Sequence, residues 1–197
     1  MTHPALILLD LQNDMVDPNG KLGAAGLARV VAERGVVANA ARALAGFRRA
    51  GFPVFHVRLG FRSDYADSIS QAPRVAQLRD KKACQLGTWG TEFPVLLAPA
   101  DDEIVVTKAC VNPFFNTPLL SLLQARAVRE VALCGVATNM AVESTARFAD
   151  DAGLAVHVLE DGCASAKPEW HEFSIRQMLP LFGRVSTVDQ FLAERLG

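Results

Sequence analysis

The 197 residues hold 20 Lys and Arg against 21 Asp and Glu, a formal charge of -1 at pH 7, and half of them are hydrophobic. That length suits one well-buried α/β domain over residues 1–197 better than two. Near-neutrality offers no basic stripe for nucleic acid and no acidic tail, and the N-terminal apolar run Ala5 to Leu9 is too short for a signal-peptide core or a membrane span, so a soluble cytoplasmic protein without membrane or nucleic-acid partners is expected.

The run Ala5 to Leu9 reads as a parallel strand buried on both faces and places Asp10 at its C-terminal tip. The loop from Leu11 to Gly26 is dense in Asn, Asp, Pro and Gly, a composition that marks turns. From Leu27 to Ala50 the apolar spacing is helical, with a break near Gly35 and a stop at Gly51; Pro53 to Leu59 follows as the second strand. Gly60 to Thr91 shows no sustained periodicity and is expected to be a long excursion with one short helix, covering something.

Glu103 to Thr107 is the third strand and ends at Lys108. A helix is expected over Thr117 to Ala125, a fourth strand over Val131 to Gly135, a helix over Asn139 to Asp151 and a fifth strand over Leu154 to Leu159. A helix from Glu169 to Leu179, a short strand from Arg184 to Thr187 and a closing helix from Val188 to Leu196 complete the chain. This alternation predicts a doubly wound, mainly parallel sheet with helices on both faces, a Rossmann-like arrangement; strand order does not follow from periodicity.

Ligands of such sheets bind at the carboxyl ends of the strands, near the point where the strand order reverses. Three positions fall there: Asp10, Lys108 and the turn from Gly135 to Ala141. Asp10 alone reads equally as a turn residue. Lys108, however, stands between Ile104-Val105-Val106 and Ala109-Cys110-Val111, and burial in that company needs a carboxylate, for which Asp10 is available. Such a pair holds the aspartate ionised and oriented for proton transfer. The turn before Ala141 opens a helix, whose first-turn N–H groups favour an anionic nucleophile or oxyanion.

The four cysteines, Cys84, Cys110, Cys134 and Cys163, have irregular spacing and read as buried hydrophobes, neither a disulfide framework nor a zinc site. His56, inside the second strand, reads as a core histidine, and the remaining histidines make no metal spacing. Neither GxGxxG nor GxxxxGK[ST] occurs, so no cofactor is expected. Trp89 in Gly87-Thr88-Trp89-Gly90, together with Phe114 and Phe115, is expected to form aromatic walls for a small substrate.

Taken together, Asp10-Leu11-Gln12-Asn13-Asp14-Met15, Gly87-Thr88-Trp89-Gly90, Lys108, Phe114 or Phe115 with Thr117, Gly135-Val136-Ala137-Thr138-Asn139, Val142-Glu143-Ser144-Thr145-Ala146-Arg147, Glu160-Asp161-Gly162-Cys163-Ala164 and Phe182-Gly183-Arg184-Val185 resemble the isochorismatase-like hydrolases, or cysteine hydrolase superfamily. The resemblance spans nearly the whole chain. It implies a six-stranded parallel sheet, a homo-oligomer (dimer or tetramer), and Asp10 and Lys108 flanking a nucleophilic cysteine. It also implies an oxyanion or carbonyl cradle over Val136, Ala137 and Thr138 with a cis peptide at Val136-Ala137, and a small-molecule pocket chosen by Met15, Phe61, Trp89 and Phe114.

One departure decides the chemistry. The nucleophile position, six residues after Gly135, is Ala141. Three readings stand beside one another: a Cys-to-Ala variant of an amide or ureide hydrolase, a cysteine-free enzyme cleaving a vinyl ether or related bond through its aspartate, and a catalytically inactive small-molecule-binding member.

Overall fold

The computed structural model describes residues 3–195. Six parallel strands, β1 (Pro4–Leu9), β2 (Val54–Leu59), β3 (Ile104–Lys108), β4 (Glu130–Val136), β5 (Ala155–Ala164) and β6 (Arg184–Ser186), form one sheet in the order β3-β2-β1-β4-β5-β6. The order reverses between β1 and β4, which are direct neighbours with Leu9 opposite Gly135. The doubly wound α/β sheet expected from the sequence is therefore the observed fold, and its switch point lies between the tips that carry Asp10 and the turn to Ala141.

The helices are α1 (Asn13–Val16), α2 (Leu27–Glu33), α3 (Val36–Ala50), α4 (Pro73–Asp80), α5 (Leu119–Ala125), α6 (Glu143–Asp151), α7 (Pro168–Phe173) and α8 (Val188–Arg195). Leu196, expected to end the last helix, lies outside the described residues.

The continuous apolar run of β1 has a direct cause. Ala5, Ile7 and Leu9 pack on one face against Leu119 and Leu123 of α5 and Ala146 and Ala149 of α6. Leu6 and Leu8 pack on the other against α2, α3 and Phe191 of α8. Because both faces are covered, every β1 residue must be apolar, and alternation disappears. The excursion between β2 and β3 has its own small core, where Phe61, Tyr65, Leu78, Ala83 and Cys84 cluster and the Tyr65 hydroxyl donates to the Ala83 carbonyl at 2.7 Å.

Two expected helices are not single α-helices. The segment expected from Asn139 begins as a π-helical turn over Thr138–Val142 before α6. Ser165 grips Asn139 from the end of β5, accepting its backbone N–H at 3.3 Å and donating to its Oδ1 at 2.8 Å, so that the first turn is wide. The helix expected over Glu169 to Leu179 becomes α7, a second π-helical turn at Ser174–Met178 and a 3-10 turn at Leu179–Leu181. Pro180 rules out its α-helical continuation. Strand β5 also runs five residues further than expected, through Glu160 and Asp161. The polar ends of these side chains meet Arg34 and the Val188 N–H, so charge there does not mean loop.

Gly135 sets how closely β4 lies beside β1 at the switch point. Its φ is +148, and a Cβ there would fall 2.2 Å from the Leu9 carbonyl oxygen. Gly135→Ala is expected to lower the unfolding free energy by roughly 2 kcal/mol or more, because backbone cannot give way as a side-chain tip can. Denaturant unfolding of the variant measures this.

Candidate active site

Lys108 is the last residue of β3 and Asp10 the first after β1, with β2 between them, a gap of roughly 10 Å at the ~4.8 Å strand spacing. Lysine is long enough to cross it. Its Nζ donates to Asp10 Oδ2 at 2.7 Å and to the Cys110 and Val111 carbonyls at 3.1 and 3.0 Å. The ammonium has three acceptors for three protons, which makes its burial tolerable.

Asp10 is placed by its backbone. It holds a φ of +55, in the left-handed region that Asp tolerates better than most residues, while its N–H donates to the Val57 carbonyl at 2.8 Å. Its Oδ2 is taken by Lys108; its Oδ1 is buried and has no hydrogen-bond partner among the described residues. Burial pushes the carboxyl above its ordinary 3.8, against the opposing pull of the Lys108 ammonium. A group so placed can hold a proton and can release one.

Both residues face a cavity of about 330 Å³, the small end of ligand-pocket sizes. Met15, Leu27, Leu59, Phe61, Val75 and Leu78 contribute apolar wall, and Val136, Ala137, Met140 and Ala141 close the side nearest β4. The Val136-Ala137 peptide is cis, as the resemblance implies. In the turn that follows, the Met140 and Val142 N–H groups both donate to the Ala137 carbonyl, at 3.0 and 3.3 Å. Asn139 N–H goes to Ser165, so the Ala141 amide is the first-turn donor next to the cavity that none of these contacts uses.

A scan of the sequence against protein-family models matches the isochorismatase domain over residues 4–190. The chain belongs to the isochorismatase family. It is 35% identical over 191 residues to the isochorismatase family protein YecD of Escherichia coli O157:H7, covering 95% of this chain and 94% of that one. It is 33% identical over 205 residues to the ureidoacrylate amidohydrolase RutB of Enterobacter sp. (strain 638), covering 96% and 87%. Among solved structures, an isochorismatase family protein from Desulfovibrio vulgaris superposes with a TM-score of 0.85 at 27% identity, covering 98% of this chain and all of that one.

Of the residues nominated from the sequence, Asp10, Met15, Phe61, Lys108, Val136, Ala137 and Ala141 line the cavity together. Trp89, Phe114 and Thr138 do not. Trp89 is 47% exposed, and what its segment contributes is backbone: the Trp89 carbonyl accepts from Asn13 Nδ2 at 2.9 Å, and Gly90 lies so close to Asp14 that a Cβ would meet its Oδ2 at 2.2 Å. Gly90 is glycine to let Asp14 in, Gly87 holds a left-handed φ of +77, and the motif does not present an aromatic wall. Phe114 is buried in the core, stacked on Phe148 with ring centroids 4.6 Å apart. Thr138 is fully buried behind the turn, its hydroxyl 2.8 Å from His171 Nδ1.

Some lining residues carried no signal. Arg74, Val75 and Leu78 come from α4, in a stretch without periodicity, and Trp170 comes from α7. Nothing local in the sequence marks them as facing Asp10. Gln12 is a structural counterpart: its amide accepts the Leu59 N–H and donates to the Leu59 carbonyl, both at 2.8 Å, continuing the β2 ladder past its end.

His171 is buried beneath the turn, and burial, then the nearby Arg34 charge, lowers its pKa to about 4. The neutral imidazole is therefore the folded form, and the stability it supports is present above the unfolded value of ~6.5 and lost as pH falls toward 4. The stability of the native chain relative to His171→Gln should drop by up to about 3 kcal/mol between those limits and level off below them. Paired denaturant melts across that range measure it.

Proposed function

We propose that this chain hydrolyses a small molecule with the Asp10 carboxyl as its proton donor and acceptor and without a thiol nucleophile. The observation that carries the reading is the division of labour on one carboxyl group. Oδ2 is occupied by Lys108, while Oδ1 is buried, unpartnered among the described residues and belongs to a residue lining the cavity. An orphaned buried acceptor is unfavourable unless the site has a use for it.

The bond class that suits this arrangement is one broken by protonation, such as a vinyl ether. The proton on Asp10 Oδ1 passes to the terminal alkene carbon, whose π electrons form the new C–H bond and leave an oxocarbenium ion. Water adds to the oxygen-bearing carbon of that ion and gives its proton back to the carboxylate. The resulting hemiketal splits into an alcohol and a ketone. Lys108 stabilises Asp10 in its ionised interval, and the apolar walls strengthen that attraction by keeping the local dielectric low. The family resemblance also supports a homo-oligomer, dimer or tetramer, and the composition supports a cytoplasmic location.

Asp10→Asn should lower turnover of a vinyl-ether substrate by 100-fold or more, roughly the scale of a lost general acid. Because the acid form is the active one, kcat/KM should fall as pH rises through the raised pKa of Asp10. Near-native turnover by Asp10→Asn would end this reading. A ligand that raises the melting temperature of the native chain without being consumed would favour the inactive binding member instead.

A second reading is favoured by the position of Ala141, whose side chain lines the same cavity as Asp10. A thiol there would stand where amide-cleaving relatives are expected to carry their nucleophile, beside the Ala141 amide as oxyanion donor. Under this reading Ala141→Cys should gain hydrolysis of small amides or ureides by orders of magnitude over the native chain, with a thiol at 141 that reacts with alkylating reagents. Under the thiol-free reading it changes the vinyl-ether rate little. Rates of both reactions in the one variant separate the two.

A further inference from the structure

The charged residues that line the cavity are Asp10, Lys108 and Arg74. Asp10 and Lys108 neutralise each other at 2.7 Å. Arg74 does not take part in that pair, and among the described residues it makes no ion pair at all; its one side-chain hydrogen bond, to Ser70 Oγ, is long at 3.5 Å. The cavity therefore carries one uncompensated positive charge, on a partly exposed arginine from the excursion, while Asp10 and Lys108 are buried. Arg74 also stands in the first turn of α4, directly after Pro73, where the helix dipole disfavours a cation. Its placement does not serve the helix, and among the described residues its one side-chain partner is Ser70.

We infer that Arg74 makes this cavity selective for small monocarboxylates: the apolar body of the substrate fills the cavity, its reacting group meets Asp10, and its carboxylate pairs with the Arg74 guanidinium. The inference rests on the reading of Asp10 and Lys108 as the proton-transfer pair. A guanidinium presents a planar fork that matches a carboxylate with two hydrogen bonds, and one positive charge matches a monoanion. A phosphate monoester would bring a second negative charge with no partner. At the ~30 Å³ that one water takes up in the liquid, the cavity admits on the order of ten non-hydrogen atoms, which fixes the scale of the substrate.

The test is calorimetric binding of matched acid and amide pairs of that size, benzoate with benzamide and sorbate with sorbamide, to the native chain and to Arg74→Gln, Arg74→Lys and Asp10→Asn. The native chain should bind each acid about tenfold or more tighter than its amide. Arg74→Gln should bring that ratio close to one, and Arg74→Lys should keep part of it. Asp10→Asn should retain the acid preference, so that a failure of the proton-transfer reading, seen as surviving turnover in that variant, is separate from a failure of the carboxylate reading. An acid preference unchanged in Arg74→Gln, amides bound as tightly as acids by the native chain, or no binding of any acid overturns the inference.

Discussion

The contact between Lys108 Nζ and Asp10 Oδ2 is the constraint around which the rest of the structure is arranged. Two opposite charges sit almost wholly out of water, a condition that is strongly unfavourable for either alone. The fold answers in three ways. It brings β3 and β1 to the same edge with one strand between them; it turns the Cys110 and Val111 carbonyls toward the ammonium; and it holds Asp10 in a left-handed conformation that directs its carboxyl to the lysine. What it leaves undone is Oδ1. On the proposed reading, that single omission separates a site from a structural ion pair.

The segments around the pair make sense as the means of holding it. Gln12 extends the edge of β2, Asn13 binds the Trp89 carbonyl, and Asp14 accepts the Lys21 and Cys84 N–H groups at 3.0 and 2.7 Å. Through these contacts, the loop after β1 and the loop before β3 become one rigid piece, although they are far apart in sequence. Polar side chains that look like candidates for chemistry are thus committed to backbone, as most buried polar groups are. A separate network lies on the β4 side, where Thr138, His171, Ser165 and Asn139 fix the turn from beneath. The first network braces the loops beside Asp10, and the second braces the turn before α6.

On the proposed reading, Ala141 lines the cradle and offers no nucleophile there. The wall there is apolar, and burial beside it raises the Asp10 carboxyl, which supports the reading of proton transfer. Under the proposed function, the residue at this position decides between a thiol that attacks and a carboxyl that protonates.

Composition and periodicity alone determined the α/β class, the six strands and the strand-tip positions of Asp10 and Lys108, because apolar runs and their spacing are local consequences of burial on one face or two. Pairing Lys108 with Asp10 was also legible, since a lysine in apolar company needs a carboxylate and few were on offer. Tertiary structure decided the strand order, the π-helical opening before α6 and the cavity's membership. Trp89 and Phe114 read as pocket aromatics because their sequence neighbours do not say which way they face; one turns to solvent and the other into the core. Arg74 and Trp170 gave no signal because they reach the site only when the excursion and α7 fold over the strand tips. A sequence records which groups must leave water, and only the packed chain fixes which of them meet.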